Sequence, residues 1–143
     1  MRKHRLYSSS GLALCGLILM GMGLYFVFLR PPLLPEDLRF LGLSLSTVQR
    51  MEPLLLIWLR RVFWVMGAFL FTSGLLTAYL ALTAFRTRAR GIFGVITLAG
   101  FTSVGWMTVV NFLIDSDFKW VLLGMALVWA ASLVTFVWEA ARS

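Results

Sequence analysis

The sequence is poor in the side chains on which metal and redox centres depend. It has one histidine, His4, and one cysteine, Cys15. An internal disulfide needs two cysteines and a bis-histidine haem needs two histidines, so both are excluded. A zinc or copper site draws three or four ligands, largely from these two residue types, so the sequence also argues against such a site. We predict no metal and no cofactor.

Charge is scarce as well. Only 13% of the 143 residues are charged, against about 25% in a typical soluble domain. There is no Gly-rich phosphate loop, no CxxC and no Ser–His–Asp set. No acidic, basic or histidine side chain lies inside the long apolar runs, and such residues usually mark an ion path or proton relay. These absences argue against a proton-coupled transporter and favour a non-enzymatic protein.

Apolar residues make up 60% of the chain and are concentrated in four runs. The runs are residues 11–29, 62–85, 91–114 and 120–138, each close to the roughly 20 residues that cross a bilayer. The first follows MRKHR but is longer than the core of a signal peptide, and no A-x-A site follows it, so we predict a retained helix. The predicted fold class is an all-α integral membrane four-helix bundle, with residues 1–143 forming one domain.

The stretch of residues 30–61 differs from the rest of the chain. Pro31 and Pro32 should end the first helix, and Pro35 can open a new one with acidic residues in its first turn. Gly42 should end that helix, and residues 46–49 fit a capping box for the next. We predict one or two short amphipathic helices lying at the membrane interface. The alternative is a packed loop without a function.

Pro53 offers a further helix start ahead of the second apolar run. A straight helix over residues 53–85 would be about 50 Å long, more than the roughly 40–45 Å of a bilayer with its headgroups. We therefore predict a bend at Arg60–Arg61, with residues 54–59 lying along the interface or under the loop. One arginine should then meet an acid, and the other should face lipid phosphate.

Charged and polar residues from several segments should meet at the end of the bundle that carries this loop. The candidate lipid- or ligand-binding residues are Glu36, Asp37, Arg39, Arg60, Arg61, Asn111, Asp115 and Asp117. Arginine pairs recognise phosphate or carboxylate with two parallel hydrogen bonds, which predicts a headgroup site. The alternative is a set of salt bridges that only fix the loop.

Small residues recur at three- and four-residue spacing in the second and third runs. The predicted helix-packing residues are Gly67, Gly74, Ala78, Gly91, Ala99, Ser103 and Gly105. The third run is the most polar, and we expect Thr102, Ser103, Thr108 and Asn111 to bond across to a neighbouring helix. Trp106 and Trp129 lie deeper than interfacial tryptophans do, so we expect both in the packed core.

Four spans place both termini on one side of the membrane. The end with the termini would hold Arg2, Lys3, Arg5, Arg86, Arg88, Arg90 and Arg142; the loop end would hold Arg30, Arg39, Arg50, Arg60, Arg61 and Lys119. The basic flank of the first helix usually dominates orientation, so we predict cytoplasmic termini. The formal net charge of +7 then reflects topology and lipid contact and does not indicate nucleic-acid binding.

The pattern RPPLLPEDLRFLG followed by LRRVFWVMGAFLFTSGLLTAY resembles small bacterial inner-membrane proteins with four spans and one long first loop. The resemblance covers residues 30–79, concerns architecture, implies the bacterial inner membrane and carries no catalytic residue. Small multidrug exporters also have four short helices, but they bear a membrane-embedded Glu in the first, and residues 11–29 contain no acid.

The leading hypothesis is an accessory or structural module that packs against itself or another membrane subunit. Its expected partners are membrane lipid and a homo-oligomer or larger membrane complex, with no nucleic acid. The alternative is a protein that binds, or even modifies, a lipid or apolar ligand through the charged cluster.

Overall fold

A computed structural model describes residues 7–141, apart from the side chain of Met51. Within that range the chain is helical without any strand, and four helices are long and apolar enough to cross a membrane. The prediction of an all-helical fold with four long apolar helices is confirmed. The basic residues 1–6 and Arg142, on which the predicted orientation partly rests, lie outside the described residues, as does His4.

Each of the four long helices covers most of the apolar run that predicted it, and the first, second and fourth begin before it. The first is α1, Tyr7–Phe28. The second comprises α4, Pro53–Leu80, and a π-helical turn, Ala81–Phe85. The third comprises α5, Ile92–Gly100, a π-helical turn, Phe101–Gly105, and α6, Trp106–Leu113. The fourth is α7, Lys119–Ala141.

The long helices form an open row rather than a closed square. The first lies between the second and the fourth, and the third packs on the far side of the fourth. The second and third meet mainly where the π turn of the second approaches α5. The shared core therefore lies among the first, fourth and third helices, around Leu12, Leu19, Ile96, Met125 and Trp129. Each edge helix keeps one side uncovered by the rest of the described chain.

Glycines bring the first two long helices into backbone contact. A Cβ added at Gly74 would lie 2.5 Å from the Gly16 carbonyl oxygen, and one added at Gly23 would lie 2.5 Å from the Phe71 nitrogen. Gly67 faces the Gly23 carbonyl in the same way. Small residues permit this approach because nothing projects between the two backbones. Three predicted packing residues, Gly67, Gly74 and Ala78, lie on this face.

The third long helix differs from its predicted packing pattern. Ala99 packs against the core, but Gly91 is exposed at φ +81°, where the chain turns before α5. Gly105 meets only the Gly100 carbonyl of its own helix, and Ser103 donates to the Ala99 carbonyl. Gly91 lies before the helix and forms part of the preceding turn. For Ser103 and Gly105 the π turn explains the difference, because one inserted residue rotates the later positions by about 100°. Spacing counted straight through the turn therefore assigns the wrong face.

Polar side chains of this helix bond back to their own backbone. Thr102 donates to the Leu98 carbonyl, Thr108 to the Val104 carbonyl and Asn111 to the Met107 carbonyl. The expected bonds to a neighbouring helix are not made by these three residues. Such back-bonding satisfies the hydroxyl or amide locally and leaves the apolar face to do the packing.

The two deep tryptophans have opposite environments. Trp129 is buried, and its Nε1 donates to the Ile96 carbonyl at 3.2 Å. Its indole lies over Gly100, where no side chain intervenes. Trp106 is 62% exposed on the uncovered side of the third helix. Core packing was the right prediction for Trp129 and the wrong one for Trp106.

The loop between the first two long helices contains two short helices. Pro35 begins α2, Pro35–Leu41, and Gly42 ends it at φ +65°, as the sequence predicts. The second, α3, is Leu45–Met51, and its cap is Ser44, whose Oγ accepts a hydrogen bond from the Thr47 nitrogen at 3.2 Å. The cap thus lies two residues before the predicted one. In these short helices Val48 is buried, whereas Leu41 and Leu45 are exposed.

The second long helix runs without a break from Pro53 to Phe85. The predicted bend at Arg60–Arg61 is therefore wrong. Residues 54–61 contain no helix breaker, since leucine and arginine are among the best helix formers. The loop helix α3 packs against α4, which stays continuous here. Leu54 and Trp58 of α4 nevertheless remain exposed.

Candidate functional site

Arg30 is the residue around which the loop end is built. It follows the last turn of α1, and its side chain is only 7% exposed. Its guanidinium carbon lies 3.5 Å from the ring centre of Phe63 on the second long helix, and 5.2 Å from that of Phe26. Its Nη2 pairs with Asp37 of α2 at 3.1 Å, and its Nη1 donates to the Pro31 carbonyl. One side chain therefore ties α1, α2 and α4 together.

Arg30 is a buried cation whose charge is offset only in part by the carboxylate of Asp37. Burial lowers the pKa of Arg30, while the Asp37 carboxylate opposes that shift. The Nε has no hydrogen-bond partner in the described part of the chain. Asp37 also accepts a hydrogen bond from the Leu34 nitrogen at 2.8 Å, and this bond caps the N-terminal end of α2. Sequence reasoning placed Arg30 among the flanking basic residues, because a lone arginine after an apolar run gives no sign of burial.

The helix α2 is docked on the turn between the third and fourth long helices. Glu36 is buried and accepts a hydrogen bond from the Ser116 Oγ at 3.3 Å. Arg39 pairs with Asp117 at 2.7 Å, and this bond raises the pKa of Arg39. Both partners of that pair are exposed, so water weakens it. The hydrogen bond between Glu36 and Ser116 is therefore a buried polar contact between α2 and this turn.

The remaining predicted acid and amide are also occupied. Asp115 pairs with Lys119 one turn along the chain, and the hydrogen bond from Lys119 lowers the pKa of Asp115. Asn111 bonds to its own helix at the Met107 carbonyl. The four predicted acids therefore all have partners, and none of those partners is Arg60 or Arg61.

Arg60 and Arg61 form a separate group. Both are exposed, and neither makes an ion pair with an acid between residues 7 and 141. The Arg61 guanidinium lies over the Trp64 ring, 4.5 Å from its centre. The predicted cluster thus divides into an acid-paired set that holds α2 and an arginine pair without acids.

The arginine pair borders an open cleft of about 400 Å³. Three segments line it: the start of the loop, the helix α3 and the first turns of α4. The lining residues are Pro31, Pro32, Leu33, Leu45, Gln49, Leu56, Ile57, Arg60, Arg61 and Trp64. None of them is acidic, so the cleft carries two positive charges beside an apolar wall.

A second hollow of about 400 Å³ continues from the cleft down the same helix. It is lined by Arg61, Val62, Val65, Met66 and Phe69. We call the first hollow the loop cleft and this one the apolar groove. Arg61 lines both, so the charged cleft and the apolar groove meet at this residue.

The opposite end of the molecule has its own polar contact. Glu139 accepts hydrogen bonds from the Ser8 nitrogen and from the Ser8 Oγ, at 3.4 and 2.7 Å. Arg88 reaches the same carboxylate at 3.6 Å and donates to the Phe136 carbonyl. These residues join the start of α1, the end of α7 and the turn between the second and third long helices. Sequence reasoning missed them because they lie up to 131 positions apart.

No protein-family model matches the chain, and neither a curated protein nor a solved structure shows a significant likeness to it. The site therefore has to be interpreted from its own chemistry. Within residues 7–141 no three His, Cys, Asp or Glu side chains lie close enough to share a metal ion. What the loop cleft offers is positive charge, one amide at Gln49 and apolar surface.

Proposed function

We propose that this is a non-enzymatic integral membrane protein, an accessory or structural module that packs against itself or another membrane subunit. Four helices with sufficient length and hydropathy support insertion. The outer surfaces of these helices expose many large apolar side chains, among them Phe69, Leu76, Leu98 and Val134. A surface of that kind aggregates in water and is stable in lipid.

The proposed location is the bacterial inner membrane with cytoplasmic termini. The turn that would share the cytoplasm with the termini carries Arg86, Arg88 and Arg90 without an acid. The loop side carries Arg30, Arg39, Arg50, Arg60, Arg61 and Lys119, so the number of basic residues alone separates the two sides weakly. The basic flank of the first helix usually dominates orientation, and it favours cytoplasmic termini.

Two exposed aromatics in the third long helix carry the proposal of a protein partner. Phe101, near the middle of that helix, is 70% exposed, and Trp106, just over one turn further, is 62% exposed. Both lie on the edge of the row, with Leu98 and Leu113 also exposed. Tryptophan facing lipid is concentrated at the interfaces, whereas buried tryptophan is enriched at the centre of protein contacts. A partner helix on this edge would cover both rings.

Cysteine crosslinking in native membranes tests this proposal. In a Cys15→Ala background we expect Phe101→Cys to form a crosslinked dimer or a heavier adduct. Leu76→Cys, on the exposed side of the opposite edge helix, is the matched control and should give much less product. The mass of the product distinguishes a second copy from another subunit. A chain that stays monomeric and partner-free at both positions contradicts the proposal.

Lipid binding is the second candidate function. The observation that favours it is the loop cleft, where two arginines lie beside apolar side chains without an acid among the lining residues. Lipid analysis of the purified protein tests it: one lipid class should be enriched over the membrane from which the protein came. An unchanged lipid composition argues against it. The acid-paired residues Glu36, Asp37, Arg39, Asp115 and Asp117 then serve to fix the loop that forms the cleft.

A further inference from the structure

We propose that the loop cleft and the apolar groove together bind one anionic amphiphile. The ligand class is a molecule with a phosphodiester headgroup and an acyl chain, such as an anionic phospholipid. Its phosphate would lie at Arg60 and Arg61, and one chain would follow the groove. The inference rests on the membrane insertion proposed above and narrows the lipid-binding candidate to one class of ligand and one surface.

Charge is the first argument. Three acids of the loop end pair with other cations, Asp37 with Arg30, Asp117 with Arg39 and Asp115 with Lys119, and neither Glu36 nor Glu52 makes an ion pair with Arg60 or Arg61. The pair at positions 60 and 61 is left with its full charge on the edge of a concave surface. Guanidinium groups bind phosphate oxygens through two parallel hydrogen bonds, and they hold their charge at every physiological pH. The positive charge of these two arginines therefore favours an anionic ligand.

Geometry is the second argument. Trp64 stacks under the Arg61 guanidinium at 4.5 Å, which restricts its orientation before any ligand arrives. Gln49 of α3 places an amide on the opposite wall of the cleft. Pro31 and Pro32 make the third side, and a proline-rich wall is stiff because the ring fixes φ. The polar groups thus come from two segments, α3 and α4, while residues 31–33 supply an apolar wall.

The third argument is the apolar groove, which favours an anion that also carries an acyl chain. From Arg61 to Phe69 the helix descends eight residues, or about 12 Å. Apart from Arg61, every side chain along this path is apolar: Val62, Val65, Met66 and Phe69. A free inorganic phosphate would use the arginines and leave this surface empty. An amphiphile would cover both, with its charged part at the end of the helix and its chain toward the middle.

Native mass spectrometry of the full-length protein in mild detergent provides the test, with phosphatidylglycerol and phosphatidylcholine as the probes. We expect the wild type to retain phosphatidylglycerol in preference to phosphatidylcholine. The double substitution Arg60→Gln/Arg61→Gln should weaken phosphatidylglycerol binding about thirtyfold. The matched control is Arg50→Gln, an exposed arginine of α3 outside both hollows, which should bind as the wild type does.

A groove variant separates the two possible sources of the anion. Val65→Trp fills the groove and leaves both arginines in place, so it should weaken phosphatidylglycerol binding while inorganic phosphate binds as before. In the wild type, millimolar inorganic phosphate should fail to displace the lipid. Displacement by free phosphate, or a Val65→Trp variant that binds lipid normally, would overturn the assignment to an amphiphile. Equal losses from Arg50→Gln and the double variant would overturn the assignment to this cleft.

Carbonate extraction of the same membranes keeps the two proposals distinguishable. If the wild type is extracted, membrane insertion fails, and this inference fails with it. If the wild type and all variants stay in the membrane but phosphatidylglycerol is not preferred, this inference alone is wrong.

Discussion

At the scale of single residues, Arg30 shows how one buried cation can organise a loop. Its guanidinium is enclosed by Phe63 and Phe26, so the charge has little water. Asp37 compensates it from α2, which would otherwise have only its contacts with Ser116 and Asp117 to hold it against the bundle. An intact buried ion pair adds only modest stability. Removal of one partner strongly destabilises the protein, because the other charge then stays buried without a counterion.

Replacement of Arg30 should therefore destabilise the protein far more than replacement of an exposed arginine. We expect Arg30→Ala to lower the free energy of unfolding by about 3 kcal/mol, the lower end for a broken buried pair, because Asp37 is partly exposed. Arg50→Ala, exposed on α3, should change it by less than about 0.5 kcal/mol. Tryptophan fluorescence during denaturant unfolding in detergent measures both. Equal effects from the two substitutions would show that the Arg30 contacts are not what holds the loop.

At the scale of elements, backbone contact between α1 and α4 distinguishes this pair from the other helix contacts. Gly16 and Gly23 on one helix face Gly74 and Gly67 on the other, so neither side has a side chain to compress. Gly21, on the same α1, is different, because a methyl group added there would have no neighbour within 4 Å. The two kinds of glycine look alike in the sequence and differ only in what lies opposite.

A methyl group should therefore have opposite effects at the two kinds of position. Gly74→Ala should destabilise the protein by about 1–3 kcal/mol, because its Cβ would lie 2.5 Å from the Gly16 carbonyl oxygen and the helices must separate. Gly21→Ala should be neutral or stabilising by up to about 1 kcal/mol, since alanine is the better helix former. Unfolding in detergent, monitored by circular dichroism, compares them. A tolerant Gly74 together with a sensitive Gly21 would contradict the packing described for α1 and α4.

At the scale of the whole molecule, the two ends differ in how their charges are used. At the loop end, three ion pairs fix α2 and the turn before α7, and Arg60 and Arg61 pair with no acid among residues 7–141. At the other end, Glu139 accepts a hydrogen bond from Ser8 and pairs with Arg88, while Arg86 and Arg90 are exposed. We propose that this second end lies in the cytoplasm, because the basic flank of the first helix usually dominates orientation.

Labelling of intact cells tests that orientation. In the Cys15→Ala background, Ser46→Cys marks the loop end and Thr87→Cys marks the other end; both positions are exposed, and neither change alters the number of arginines or lysines. A membrane-impermeant maleimide should label position 46 in intact cells and position 87 only after lysis. The reverse pattern would invert the topology, and labelling of both positions in intact cells would indicate dual insertion.

Much of the fold was open to prediction because it depends on local chemistry. Continuous apolar runs specify long helices, Pro35 and Gly42 specify where α2 begins and ends, and the spacing of Gly67 and Gly74 specifies a small face. The candidate site was accessible only in part. Arg60 and Arg61 were identified by their position at the end of an apolar run, but their expected acid partners belong to other residues.

What the sequence by itself determined is therefore the set of four long apolar helices and the helical character of the loop, since composition and spacing act within one segment. The tertiary structure decided which charges meet. Arg30 and Phe63 come together only once α1 and α4 pack at their glycines, and Ser8 reaches Glu139 only once α7 lies beside α1. It also decided that the second long helix continues to Pro53 and that a π turn rotates half of the third. These outcomes depend on the relative depth and rotation of whole helices, and no local pattern records either quantity.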